Sequence, residues 1–432
     1  MFISLLIVSI FTFTLSQSKS IQPIVIIPGL AASQLDATII NGAYKFGCPS
    51  NAPTPHRIWF SFYESALRLP CLIENTRLTY DTKTNCTIQG RSGSTIIPHD
   101  WGNTSGVESL DPKSKIKTFP LFRDMVNTLV NDHGYIRGLS VVAAPYDFRL
   151  WGDKCYSISF LLKLQHLIEN TSIQNGNVPV RLVCHSMGCP ATNRLLYTMS
   201  QAWKKQYVAG LVALGAPFAG APSVIYSVVT GKMADVPVDL SKSVGTWPSM
   251  SGLIPYEMSN LGTPIYGKDT VIVTTTTRDY TINDMFALVR DLSTNGYYHR
   301  TFPSSNKGLP RLPNGTSVWK YIHEDLFSNG AHPGVNVDVV YVSDVPTPSK
   351  WTFTKDDLSD GGTASHDYLG DGTVPVNSIE IPSKSWMKEK TWKVALYPLK
   401  SQPKSAMNGM QSQHMGTCWH PGAIQVVVDS IK

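Results

Sequence analysis

The chain has 432 residues, with 37 Lys and Arg against 31 Asp and Glu for a net charge of +6. This mild basic balance favours anionic lipid over neutral surfaces, and no basic run interleaved with aromatics points to nucleic acid. No stretch beyond residue 18 is long and apolar enough to cross a bilayer. Neither C-x-x-C nor H-E-x-x-H spacing occurs, so no metal and no cofactor is expected.

Residues 1–18, MFISLLIVSIFTFTLSQS, form a short apolar run followed by small residues, the pattern of a cleaved signal peptide. A secreted or lysosomal/endosomal lumenal protein is therefore expected. The sequons at Asn85, Asn103, Asn170 and Asn314 fit that route as glycosylation sites. Next, PIVIIPGLAASQLDA predicts a buried strand that ends in Pro28-Gly29. Leu30 is then a candidate backbone donor for an oxyanion, the plain alternative being a Pro-Gly turn that ends a core strand.

In RIWFSFYESALRLPC, Trp59, Phe62, Ala66 and Leu69 recur at helical spacing with Arg57, Glu64 and Arg68 between them. An amphipathic, aromatic-rich element of this kind lies in a lipid interface or faces a core, and periodicity alone favours the core. The cluster Trp59, Phe60, Phe62 and Tyr63 is the candidate lipid contact. Further on, helices are predicted within LFRDMVNTLVNDHG and SISFLLKLQHLIEN, and strands within LSVVAAPYD, PVRLVCH and YVAGLVALGAP. This alternation implies an α/β fold with a mainly parallel sheet covered on both faces. Asp147 and Arg149 read as a structural ion pair near the site.

VPVRLVCHSMG runs directly into CPATNRLLYTMSQ, which places Ser186 at a joint between strand and helix. A tight turn there exposes a nucleophilic hydroxyl, and the helix N-terminus behind it favours developing negative charge. The motif C-H-S-M-G is one step from G-x-S-x-G, with Cys184 in place of the first glycine; the plain alternative is that Ser186 only caps the helix. The residue after the nucleophile, Met187, supplies the second oxyanion donor. In this arrangement an acid and then a histidine follow the serine in the chain. YLGDGTVPVNS offers Asp371 between two glycines, and QSQHMGTCWHPG offers His414 in a loop and His420 beside a proline that restricts its backbone. His414 is the expected base. Cys184 and Cys189 read as small buried hydrophobes, and seven cysteines leave at least one unpaired.

Together IIPGLAASQLDA, RIWFSFY, CLIENTRLTYD, GYIRGLSVVAAPYDFRL, CHSMGC, QAWKKQYVAGLVALGAPFAGAP, PGVNVDVVYVSDVPTP, GDGTVP and the His414 loop resemble, in order, the lecithin:cholesterol acyltransferases and the related lysosomal phospholipase/transacylase. The resemblance implies an α/β-hydrolase fold with Ser186, Asp371 and His414 as catalytic triad and Leu30 and Met187 at the oxyanion hole. It also implies a Cys48–Cys71 disulfide closing a lid loop that carries Trp59. The position of Leu30 varies among relatives and is sometimes acidic, so no pH preference carries over. A second disulfide of the cholesterol-esterifying members has no counterpart, because Val339–Val342 and Ile379–Pro382 contain no cysteine.

Length alone predicts about three units of ~150 residues, yet the candidate site is scattered from the first strand to the last loop. One core with inserted excursions accounts for both. The expected core comprises 19–47, 119–217 and 345–432; 48–118 is the lid and lipid-binding excursion, and 218–344 is a cap. The expected activity is lipid O-acyl transfer with phospholipase activity: a glycerophospholipid in a membrane or lipoprotein-like surface donates the acyl group, and a sterol, another lipid alcohol or water accepts it. The alternatives are a plain phospholipase or lipase and a non-catalytic lipid-binding relative.

Overall fold

The computed structural model describes residues 21–44, 47–81, 83–84, 86–112, 120–230, 233, 239–240, 242–258, 261–285, 287–288, 330–403 and 413–432. The expected signal segment, Asn85 and Asn314 lie outside them. At the centre are six strands: β1 (Ile24–Ile27), β2 (Val141–Ala143), β3 (Val180–His185), β4 (Val208–Leu214), β5 (Val337–Val342) and β6 (Val394–Leu399). They lie in the order β6-β5-β4-β3-β1-β2, and every neighbouring pair is parallel. All residues of β1 and β2 are buried, as expected for parallel strands whose two faces are covered.

Helices connect the strands. The first, α1 (Arg123–His133), stops where Gly134 turns left-handed at φ 73°, a conformation that costs glycine little. The second, α2 (Lys154–Gln174), begins where the Asp153 carboxylate accepts the Tyr156 N–H, satisfying a donor left open at the helix start. Then come α3 (Gly188–Thr198), α4 (Val376–Trp386) and α5 (Pro421–Asp429). This mixed architecture around a parallel sheet is the α/β-hydrolase fold.

The excursions differ from the expected boundaries. β5 lies within the central sheet, paired with β4 and β6, so the core resumes before residue 345. Its run VDVVYV is buried at five of six positions; a strand of this kind belongs inside a covered sheet. Conversely, Lys350–Thr352 and Thr363–Ser365 join Val271–Thr274 and Asp279–Thr281 in a four-stranded sheet of the cap. On the lid side, Leu35–Ile39 is the middle strand between Ala52–Trp59 and Ser94–Pro98, so this sheet starts before residue 48.

The helical run expected from Trp59 is also corrected. Trp59 ends a strand, and the helices that follow are Phe62–Leu67 and Leu69–Thr76. Ser61 caps the first by accepting from Glu64 N–H.

Two disulfides pin the excursion: Cys48–Cys71 joins its start to the helix Leu69–Thr76, and Cys86–Cys155 ties the strand Cys86–Gln89, antiparallel to Leu78–Asp81, to α2. The expected Asp147–Arg149 pair is present and buried, with Arg149 Nε 2.8 Å from Asp147 Oδ1 and Nη2 2.6 Å from Oδ2. Arg149 Nη1 also donates to the carbonyls of Asn75 and Thr76, each at 3.1 Å. The pair therefore clamps excursion to core.

Candidate active site

Ser186 follows directly on β3, and its φ of +50° is left-handed, a strained conformation for a residue with a side chain that native structures tend to keep at functional sites. The turn is held by Ser186 N–H donating to the Leu214 carbonyl at 2.9 Å and by Cys189 N–H donating to the Ser186 carbonyl at 2.9 Å. Contrary to the reading of two free buried thiols, Cys184 and Cys189 form a disulfide across the elbow. The cysteine in place of the motif's first glycine thus bonds its counterpart in the first turn of α3. Cys418 is free and buried, and burial pushes its thiol pKa well up.

The three candidate groups meet here from separate parts of the chain. His414 Nε2 lies 2.7 Å from Ser186 Oγ, and His414 Nδ1 lies 2.7 Å from Asp371 Oδ2. The carboxylate is fully buried. Its other oxygen accepts the N–H groups of Thr373 at 2.9 Å and Val374 at 2.7 Å, bonds that hold the carboxylate in place. The turn is possible because Gly372 takes φ 90°. Gln413 N–H donates to the Asp371 carbonyl at 2.8 Å, which joins the acid's turn to the base's loop. His420 is elsewhere: its Nδ1 accepts the Gly422 N–H and caps α5.

Beside the elbow lies the turn Pro28–Gly29–Leu30. A Cβ on Gly29 would come 2.7 Å from Ser186 Cβ, and one on Gly188 would overlap the carbonyl oxygens of Ile27 and Pro28. Only glycines permit this approach, which seats the Pro28–Gly29–Leu30 turn against the elbow. Met187 is buried and stands at the head of α3.

Trp59 and Phe60 are not at a surface. Trp59 is 0% exposed and its indole N–H donates to the Ala31 carbonyl at 2.9 Å. Its ring packs on Phe60, Phe148 and Trp247 at 5.4–6.0 Å between centroids. A large aromatic with one donor suits a dry position where that donor finds a partner, so both residues belong to the core beneath the excursion. Phe62 is partly buried against Phe60, whereas Tyr63 is 57% exposed and Leu67 72% exposed. Of the sequons within the described residues, Asn170 is exposed on α2 and Asn103 is half-buried, its side-chain oxygen accepting the Thr104 N–H.

Some site residues escaped the sequence reading. Gly215, at φ 54°, closes β4 where a Cβ would sit 3.3 Å from both Asp371 Oδ2 and His414 Nδ1; the glycine in VALGAP was the available signal. Trp247 in the cap reaches Trp59, and nothing local in sequence pairs them. His185 is completely buried, with Nε2 3.0 Å from the His414 carbonyl.

A family model for lecithin:cholesterol acyltransferase matches residues 55–420. The chain is similar to the lysosomal phospholipase A and acyltransferase of Rattus norvegicus, 30% identical over 387 residues that cover 87% of this chain and 84% of that protein. It is likewise similar to the phosphatidylcholine-sterol acyltransferase of Homo sapiens, 27% identical over 391 residues covering 88% and 80%. Among solved structures, a chain of the Tle4-Tli4 complex superposes with a TM-score of 0.58 at 13% identity, over 95% of this chain and 98% of the other, a likeness of fold. Because the family match takes in the elbow and the acid and histidine loops together with most of the excursions, the chain belongs to the lecithin:cholesterol acyltransferase family and is an enzyme of that type.

Proposed function

We propose that the protein is a lipid O-acyltransferase with phospholipase activity that works through Ser186, His414 and Asp371. The observation that carries this reading is the continuous hydrogen-bonded chain from Ser186 Oγ through both nitrogens of His414 to the buried Asp371 carboxylate. Ser186 Oγ attacks an ester carbonyl of a glycerophospholipid as its proton passes to His414 Nε2. Asp371 holds the imidazole in the tautomer with its proton on Nδ1 and stabilises the imidazolium. The N–H groups of Leu30 and Met187 receive the tetrahedral oxyanion, and each such donor contributes about 3 to 4 kcal/mol to the transition state. The imidazolium protonates the departing alcohol, leaving an acyl-enzyme. A sterol, another lipid alcohol or water then gives its proton to His414 and takes the acyl group.

The substrate lies in a lipid surface, and Tyr63 and Leu67 are suited to meet it. They are one turn apart on the helix Phe62–Leu67, exposed on a common face. The expected signal segment and sequons support action in a lysosomal or extracellular compartment. Labelled phosphatidylcholine liposomes, with and without sterol or ceramide, test the reading. Wild type is expected to release labelled fatty acid and to form a labelled acyl acceptor, and Ser186→Ala to form neither while still binding liposomes. Acyl transfer by Ser186→Ala would overturn it.

A further inference from the structure

His185 takes no part in the reaction above, yet it precedes Ser186 in the chain and touches His414. A carbonyl oxygen only accepts, so the 3.0 Å contact to the His414 carbonyl places the His185 proton on Nε2. Its Nδ1 is left as a bare acceptor with no hydrogen-bond partner among the described residues. That atom faces the Gly29 turn, where a Cβ would stand 3.0 Å away. The ring lies 4.9 Å from the His414 ring and 6.3 Å from Phe122, centroid to centroid. A second proton on His185 would create a buried N–H without an acceptor, beside the imidazole that must itself become positive in catalysis. Burial first, and the neighbouring His414 second, push its pKa down to about 3. His185 is thus a neutral donor of one fixed tautomer.

We propose that His185 is a positioning residue, whose Nε2–H fixes the backbone of the general base while the next residue presents the nucleophile to that base's ring. This rests on the triad reading. Two adjacent residues at the end of β3 then hold residue 414 at two points: His185 at the carbonyl and Ser186 at Nε2. The hold at the carbonyl matters because His414 opens a short 3-10 turn, Met415–Trp419, whose own bond to that carbonyl, from Thr417 N–H, is long at 3.3 Å. With the His185 bond removed, the imidazole is free to shift relative to Ser186, and a misplacement of about 1 Å can cost about 10²-fold in rate.

The test compares His185→Gln, whose amide N–H falls near the place of Nε2, with His185→Asn, whose amide is too short to reach. Two readouts are taken: the rate at which a fluorophosphonate labels Ser186, and kcat and KM on a short soluble ester. His185→Asn is expected to lower labelling and kcat by on the order of ten- to a hundredfold with KM nearly unchanged, and His185→Gln to recover most of both. Wild-type rates in His185→Asn, or equal losses in two variants that melt like wild type, would overturn the proposal.

Should the variants not fold, nitrogen NMR of histidine-labelled wild type decides. A neutral histidine protonated on Nε2 is expected to persist from about pH 8 down to about pH 4, where ordinary histidines have become charged. Eleven histidines that all titrate normally would overturn the proposal. Failure of the triad reading is distinct: wild type would leave Ser186 unlabelled, or Ser186→Ala would keep turning over ester.

Discussion

At the scale of single residues, Trp59 illustrates how one side chain changes meaning between sequence and structure. Its position in an aromatic run offered lipid contact or core, and the fold settles the matter through one hydrogen bond, to the carbonyl of Ala31 just past Leu30. Trp59→Phe keeps most of the ring and strands that carbonyl, a loss of about 1 to 3 kcal/mol for a buried unsatisfied group. Its melting temperature is expected to fall, with liposomal and soluble-ester activities declining together. A loss confined to liposomes at an unchanged melting temperature would return Trp59 to the lipid surface.

His185 gives a second residue-scale expectation, for stability against pH. Its folded pKa of about 3 lies below the ordinary 6.5. On acidification through 6.5 the unfolded chain takes up a proton that the folded protein refuses. The stabilisation is therefore complete above about 6.5 and is lost as pH falls toward about 3. Chemical denaturation between pH 7 and pH 4 is expected to show a shallower acid decline for His185→Gln than for wild type. Parallel curves would contradict the assignment of that proton uptake to His185.

At the scale of elements, what was legible followed from local pattern. The runs around Val180–His185 and Val208–Leu214 are rich in β-branched and other apolar residues, and the serine between strand and helix has the signature of a strained turn. Val337–Val342 has the same apolar character, yet its neighbourhood is rich in turn residues, and only pairing with Leu211–Leu214 and Val394–Leu399 reveals it as a core strand. Pairing between segments so far apart in the chain leaves no mark on either segment alone. The Cys184–Cys189 bond was missed for a related reason: two buried cysteines read equally well as hydrophobes until the elbow turns one toward the other.

The helix Phe62–Leu67 carries the excursion's own expectation. Tyr63 and Leu67 are exposed on one face, while Phe62 points inward. Replacing both Tyr63 and Leu67 by serine removes apolar area that would otherwise enter a lipid interface, where burial of one large side chain contributes about 1.5 to 3 kcal/mol. Liposome binding is expected to fall roughly tenfold or more, since each 1.4 kcal/mol is about a factor of ten. Soluble-ester turnover and melting temperature should hold. Unchanged liposome binding would exclude this face as the docking element.

At the scale of the whole molecule, the site is a product of topology. Ser186 comes from the third strand of the chain's central sheet, the Leu30 turn from the first, Asp371 from beyond the fifth, and His414 from the loop before the last helix. The order of serine, acid and histidine along the chain was readable because the fold class dictates it. The tie from Gln413 to Asp371, the closeness of Gly215 and the grip of His185 depend on strand ends meeting at one edge, and no local pattern encodes that. The excursions are joined to this edge as well. Arg149 donates to the Asn75 and Thr76 carbonyls of the lid excursion, and Ser223 on the cap donates to the Thr373 carbonyl at 2.8 Å, next to the acid's turn.

The central claim is that acyl groups pass through Ser186. Its most direct test is rapid acid quench of wild type turning over a phospholipid of defined acyl chain, followed by peptide mass spectrometry. The expected result is a peptide containing Ser186 that is heavier by that acyl group, whose occupancy falls when an acceptor alcohol is added and which is absent from Ser186→Ala. Steady turnover with no acyl mass on Ser186, with the group instead on another side chain or on none, would contradict the account.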